Sequence, residues 1–130
     1  MTPSRSLFSY AVLRVVPDIE REEFLNAGLL LFCRERQYLR AAISLDVDRL
    51  RALRPDIDAD AVRAQLDLVE RISSGAVARG PLAQMSQSER FHWLTTPRST
   101  VVQPGPIHGG MSEDPDATFD RLFETLVHHP

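Results

Sequence analysis

Residues 21–32 read REEFLNAGLLLF, and the parsing of this stretch decides the fold. A charged triplet, Arg21, Glu22 and Glu23, runs directly into an apolar segment, yet that segment holds Asn26 and Gly28 among its leucines. From Leu25 to Cys33 the chain is apolar at almost every position, the pattern of a strand covered on both faces. In a regular pleat Asn26 and Gly28 share one face. A buried asparagine must satisfy two N–H donors and a carbonyl, and a strand glycine marks a bulge or the close approach of a neighbour. Two readings follow. In the structural one, Asn26 bonds backbone groups at the turn and Gly28 makes room for a helix. In the functional one, Asn26 joins Arg14, Arg21 and Glu23 in a polar pocket, with arginine gripping an anion, Glu23 as acid–base group and Asn26 orienting the ligand.

Upstream, Leu7 to Val16 (LFSYAVLRVV) is apolar on both alternating faces and suits a central strand, which Pro17 and Asp18 should break. Ile19 to Phe24 then forms one helical turn or a wide loop. Downstream, Arg34-Glu35-Arg36-Gln37 separates Leu25–Cys33 from Tyr38–Ser44, close enough for an antiparallel hairpin. The period then changes. Asp46 to Arg54 places Val47, Leu50 and Leu53 at helical spacing with Pro55 just beyond. Asp58 caps a longer helix whose Ala59, Val62, Leu66, Val69 and Ile72 step by three and four towards Gly75. Ala76 to Met85 reads as loop and Ser86 to Leu94 as a short helix or turn. Ser99 to Gln103 reads as a late strand, and Pro104 to Gly110 (PGPIHGG) as irregular. Asp114-Pro115 is a cap and first turn for a helix burying Phe119, Leu122, Phe123, Leu126 and Val127. Strands first, then helices with one late strand, predict an α+β domain spanning residues 1–130, in which an antiparallel sheet of three to four strands packs against helices.

The 130 residues, 43% of them hydrophobic, suffice for one core. All 15 basic residues are arginine and the net charge is −3, with no basic run, which argues against a protein that tracks nucleic-acid phosphates. Cys33 is the sole cysteine, so neither an internal disulfide nor a cysteine-based zinc site is available, and a reducing cytoplasm is the expected compartment. Arg5 before Leu7–Leu13 has a faint leader-like look, but Arg14 interrupts the run and no small-residue cleavage site follows. No apolar run approaches the roughly 20 residues that span a bilayer.

Chemistry-bearing patterns are few. Arg14 shares a strand face with Phe8, Tyr10, Val12 and Val16, so its guanidinium either bridges to the following loop, with Glu22 or Glu23 the nearest carboxylates, or lines a pocket. His92, His108, His128 and His129 include no i, i+4 pair, so no metal site is expected. The loop holding His108 lacks the Gly-Lys-Ser/Thr ending of a phosphate loop. Arg98, Ser99 and Thr100 have no general base beside them. Cys33 reads as a small core residue. No cofactor is expected.

Two blocks can be read together: YAVLRVVPDIEREEFLNAGLLLF, with Tyr10, Arg14, Pro17, Arg21, Glu23, Asn26, Gly28 and Phe32, and FHWLTTPRSTVVQPGPIHGG, followed by Asp114-Pro115. In order and in the R-x-E-x-x-N-x-G spacing they resemble the bacterial DUF3037 family over nearly the whole chain. The resemblance implies a small stand-alone bacterial domain and carries over no catalytic residues. It also implies a genomic neighbour, a HipA-like kinase. The expected function is therefore a non-enzymatic accessory module that binds another protein, a HipA-like kinase first among candidates, through a sheet edge or the Pro97–Gly110 loop, with Arg98, Ser99, Gln103 and His108 as contact residues. The alternative is a small enzyme or ligand-binding domain for a phosphorylated or carboxylated compound, using Arg14, Arg21, Glu23 and Asn26.

Overall fold

In the computed structural model, which describes residues 4–77 and 79–128, the chain forms one antiparallel sheet with helices on both faces. In chain order the strands are β1 (Ser6–Asp18), β2 (Glu23–Cys33), β3 (Tyr38–Ile43), β4 (Val102–Pro104) and β5 (His108–Ser112). The helices are α1 (Val47–Leu53), α2 (Ala59–Ser74), α3 (Gln87–Leu94) and α4 (Pro115–Leu126). The sheet order is β3-β2-β1, and β1 is long enough to carry both β4, beside Leu13–Val15, and β5, beside Ser6–Tyr10, on its far side. This is the α+β fold expected, with one strand more than expected.

The helices follow their caps. Asp46, Asp58 and Asp114 each accept a backbone N–H from the first turn of α1, α2 and α4, and Ser86 with Glu89 closes a capping box on α3. Gly75 ends α2 at φ 78°, where its carbonyl-capping N–H bonds reach Arg71 and Ile72. On one face of the sheet, Leu13, Val15, Leu25 and Ala27 pack on Leu50 of α1 and on Val62 and Leu66 of α2, while Leu30 and Ala41 meet Ile72, Phe91 and Leu94 of α2 and α3. On the other face Phe8, Leu29, Leu31 and Cys33 meet Phe119 and Leu122 of α4, and with them Val127 just beyond its last turn. Cys33 is a buried, free core residue.

Three expectations are corrected. Asn26 and Gly28 do not share a face. Leu13 pairs with Gly28 and Arg14 with Asn26, so Ala27 is an extra residue in β2, a bulge that reverses the side-chain phase. Leu25 and Ala27 thereby join the face of Leu30, and Asn26 turns to the α4 face. Pro17 and Asp18 do not end β1. The ladder with β2 is already shifted between Val15 and Asp18, so the N–H that proline lacks is not missed, and the Pro17 carbonyl accepts from Arg54 Nη1 at 2.8 Å. Finally, the PGPIHGG segment contains the start of β5. Gly110 lies opposite Phe8, whose Cζ would stand 2.7 Å from a Cβ there, so the phenyl ring of the neighbouring strand occupies the space that a side chain would take.

A polar clamp ties the β3 edge to α4. Tyr38 donates its hydroxyl to Asp116 at 2.6 Å, and Arg40 reaches Asp116 and Asp120 at 3.2 Å each. Burial and the Asp116 carboxylate push the Tyr38 phenol up from 10.0 to about 12. The neutral phenol is thus the form the fold favours, so its stabilisation is complete below about pH 10 and disappears as pH rises towards 12. Because the pair is largely open to solvent, Tyr38→Phe should cost only about 0.5–1 kcal/mol at neutral pH in denaturant titrations. The same comparison at pH 12 should show a smaller difference.

Candidate functional site

The polar residues singled out in the sequence separate in space. Arg21 and Glu23 pair with each other on the exposed β1–β2 turn, at 2.7 Å from Nη2 and 2.8 Å from Nε to the same carboxylate oxygen. That turn is a single 3-10 turn, Ile19–Arg21, closed by Glu22 in the left-handed region at φ 56°. Arg14 therefore does not take Glu22 or Glu23 as a partner, and among the described residues it forms no ion pair. Its guanidinium instead lies 4.1 Å over the ring centre of Phe24, itself 46% exposed. The Nε–H is buried without an acceptor, a condition that costs about 1–3 kcal/mol.

Asn26 takes the structural role. Its Nδ2 donates to the Leu126 carbonyl at 3.0 Å and so satisfies one of the open carbonyls at the end of α4. Across the sheet, Asn26 of β2, Arg14 of β1 and Gln103 of β4 are successive register partners, which gives the α4 face a polar row just past the helix end. Gln103 spends its Nε2 on the Thr100 carbonyl at 2.7 Å. Gly105 admits the row, since a Cβ there would stand 3.1 Å from Arg14 Nε. Beside the row opens a groove of about 590 Å³, lined by Phe24, Leu25, Asn26, Asp46, Arg49, Leu126 and Val127. Of Arg14, Arg21, Glu23 and Asn26, only Asn26 lines that groove.

The expected partner-contact residues are equally dispersed. Arg98 donates to the Trp93 carbonyl at 2.7 Å and stacks 4.3 Å over the indole, fastening the chain after α3. Ser99 is exposed in the loop that follows. Gln103 belongs to the polar row, and His108, exposed at the start of β5, leans on Tyr10 with ring centres 5.3 Å apart. No group of three or more His, Cys, Asp or Glu side chains among the described residues is placed to hold a metal ion. Of the four histidines weighed as ligands, His129 lies outside the described residues.

A second surface escaped the sequence reading. At the corner where β1 begins, Leu7 and Met111 are cross-strand partners on the face of α3 and are 67% and 56% exposed. α3 is only eight residues, about 12 Å long, and lies over β2, so it leaves this corner bare. Next to the pair is a second groove, about 610 Å³, in which Leu7, Ser9, Phe32 and Phe91 form the floor and Arg34, Glu35, Ser88 and His92 the rim. The strand beside it, His108-Gly109-Gly110-Met111-Ser112, has no charge and no proline. By contrast, β4 ends in Pro104 and β3 carries Arg40, two devices that blunt an edge. The signal for this corner was the run Ile107 to Met111, readable only once it is known to be a strand.

Comparison with curated proteins finds no match, and comparison with solved structures finds none. The family model described as a protein of unknown function, DUF3037, matches residues 10–127. That span takes in the bulged β2, the Gln103–Arg14–Asn26 row and the β5 edge, nearly the whole chain, and the protein belongs to the DUF3037 family.

Proposed function

We propose that this chain is a non-enzymatic accessory module that binds another protein by accepting an extended strand on the β5 edge. The observation that carries this reading is the unguarded edge itself, five residues without a charge or proline, next to the exposed Leu7–Met111 pair. An added strand would gain main-chain hydrogen bonds along β5, and its side chains on the α3 face would meet Met111, which stands beside Leu7. The occupant this surface suits is an apolar, β-prone segment of a partner. A HipA-like kinase, the partner implied by the family resemblance, is the first chain to test, in a bacterial cytoplasm.

Co-expression with that kinase followed by size-exclusion chromatography should give one complex at micromolar concentration. Leu7→Asp combined with Met111→Lys should weaken it at least about 30-fold, the scale of losing an interface anchor worth about 2 kcal/mol, while leaving the thermal midpoint little changed. Two independent peaks for the wild-type pair would defeat the kinase assignment. A dimer of this chain alone that the double substitution dissolves would replace the partner with a second copy.

A further inference from the structure

We infer that Gly109 is the floor of a slot for an aromatic side chain of the partner strand, an assignment that rests on the β5 edge accepting such a strand. The two glycines of β5 differ. Gly110 turns to the α4 face, and the ring of Phe8, its register partner, already stands where a side chain would be. Gly109 turns to the α3 face, where its register partner is Ser9. A Cβ on Gly109 would meet only the Phe8 carbonyl oxygen, at 3.5 Å, and no side chain of the described residues within 4 Å. The fold therefore covers one glycine of this edge strand and leaves the other bare.

A glycine in an edge strand is stabilised when an aromatic ring of the neighbouring strand lies over it, hiding the exposed backbone and meeting the side chains to either side. Phe8 over Gly110 is that arrangement within this chain. For Gly109 the inner neighbour cannot supply the ring, because Ser9 is too short, so the ring must come from the strand added outside β5. Met111, two residues along on the same face and 56% exposed, forms one wall of the slot, and Ile107, two residues the other way and 53% exposed, adds apolar surface before the strand begins. A leucine would cover less of the backbone and has no flat face to lay on it. Charge selects in the same direction. β5 carries no charged side chain, and Arg5 and Glu113, near its Ser112 end, are engaged with each other at 3.8 Å, so an uncharged ring matches the slot better than a cation or an acid.

The experiment is a titration of the ¹⁵N-labelled full chain with the capped peptide Lys-Thr-Thr-Tyr-Thr-Thr-Lys, and with the same peptide carrying leucine or alanine in place of tyrosine. The readout is the backbone amides of β5. The tyrosine peptide should shift them saturably and bind at least tenfold more tightly than either of the others, and its ring protons should show proximity to Gly109 Hα and to the Met111 methyl group. Gly109→Val, which fills the slot, should abolish that preference while leaving the affinity of the alanine peptide within about twofold of the wild type. Equal, saturable binding of the three peptides would overturn the slot and leave strand addition standing. No shift of the β5 amides by any peptide at millimolar concentration would overturn both. A tyrosine preference that survives in a folded Gly109→Val chain would seat the ring elsewhere and overturn the slot alone. The comparison of peptides uses the wild-type chain, so it decides even if the variant fails to fold.

Discussion

Gly28→Val is expected to destabilise the protein by about 3 kcal/mol or more, enough to lower its thermal midpoint by roughly 10 °C. A Cβ at this position would stand 2.9 Å from the Ala42 carbonyl oxygen and 2.9 Å from Leu13 Cδ1. Neither neighbour can yield easily. Ala42 is backbone within the β2–β3 ladder, and Leu13 is fully buried against α1 and α2. Valine adds two further methyl groups to the same closed space, so the strand must move or the Leu13 side chain must leave its rotamer. Gly109→Ala is the control, because its Cβ would meet only the Phe8 carbonyl at an ordinary 3.5 Å. Chemical denaturation of the two variants should separate them clearly. Equal midpoints would show that β2 and β3 are not packed as closely as the register requires.

Gly28 also shows where the sequence ceased to be readable. Its closeness to a neighbour follows from its place in an apolar strand, but the bulge at Ala27 leaves no trace in the pattern. When a strand is covered on both faces, every position is apolar and the alternation carries no phase, so a reversal of phase at one residue is invisible. The α4-facing direction of Asn26 was lost with it, and its acceptor, the Leu126 carbonyl, lies 100 positions further along the chain. The helices were legible because their signals are local, as with Asp58 and Gly75 at the two ends of α2. β5 was not, because Gly109 and Gly110 are breakers by themselves and become strand residues only when Phe8 of another strand fills the space above Gly110. The candidate sites inherit this division. The importance of Arg14 and Asn26 could be seen in the sequence; their separation from Arg21 and Glu23 required the turn geometry, and the Leu7–Met111 corner required the fifth strand.

Phe119→Ala should have the larger effect on stability, about 3–5 kcal/mol, the usual range for removing a buried phenylalanine. Phe119 is 1% exposed and is the largest fully buried side chain. Its ring packs with Phe8, Leu29, Leu31 and Cys33 on the sheet, and the Arg40 guanidinium closes over it at 4.2 Å while bridging to Asp116 and Asp120 on the same helix. Removing the ring therefore leaves a cavity and also removes the surface on which Arg40 rests, so the clamp between β3 and α4 weakens together with the core. α4 is the only described helix over this face of the sheet, and its last turn supplies the carbonyl that Asn26 holds. The substitution should for that reason be felt at the polar row as well: in hydrogen exchange, α4 amides and the Asn26 side-chain amide should lose protection together, while α2, on the opposite face, keeps more of its own. Loss of protection in α2 to the same degree would mean that the two faces unfold as one unit and that α4 does not open separately over the Arg14 row.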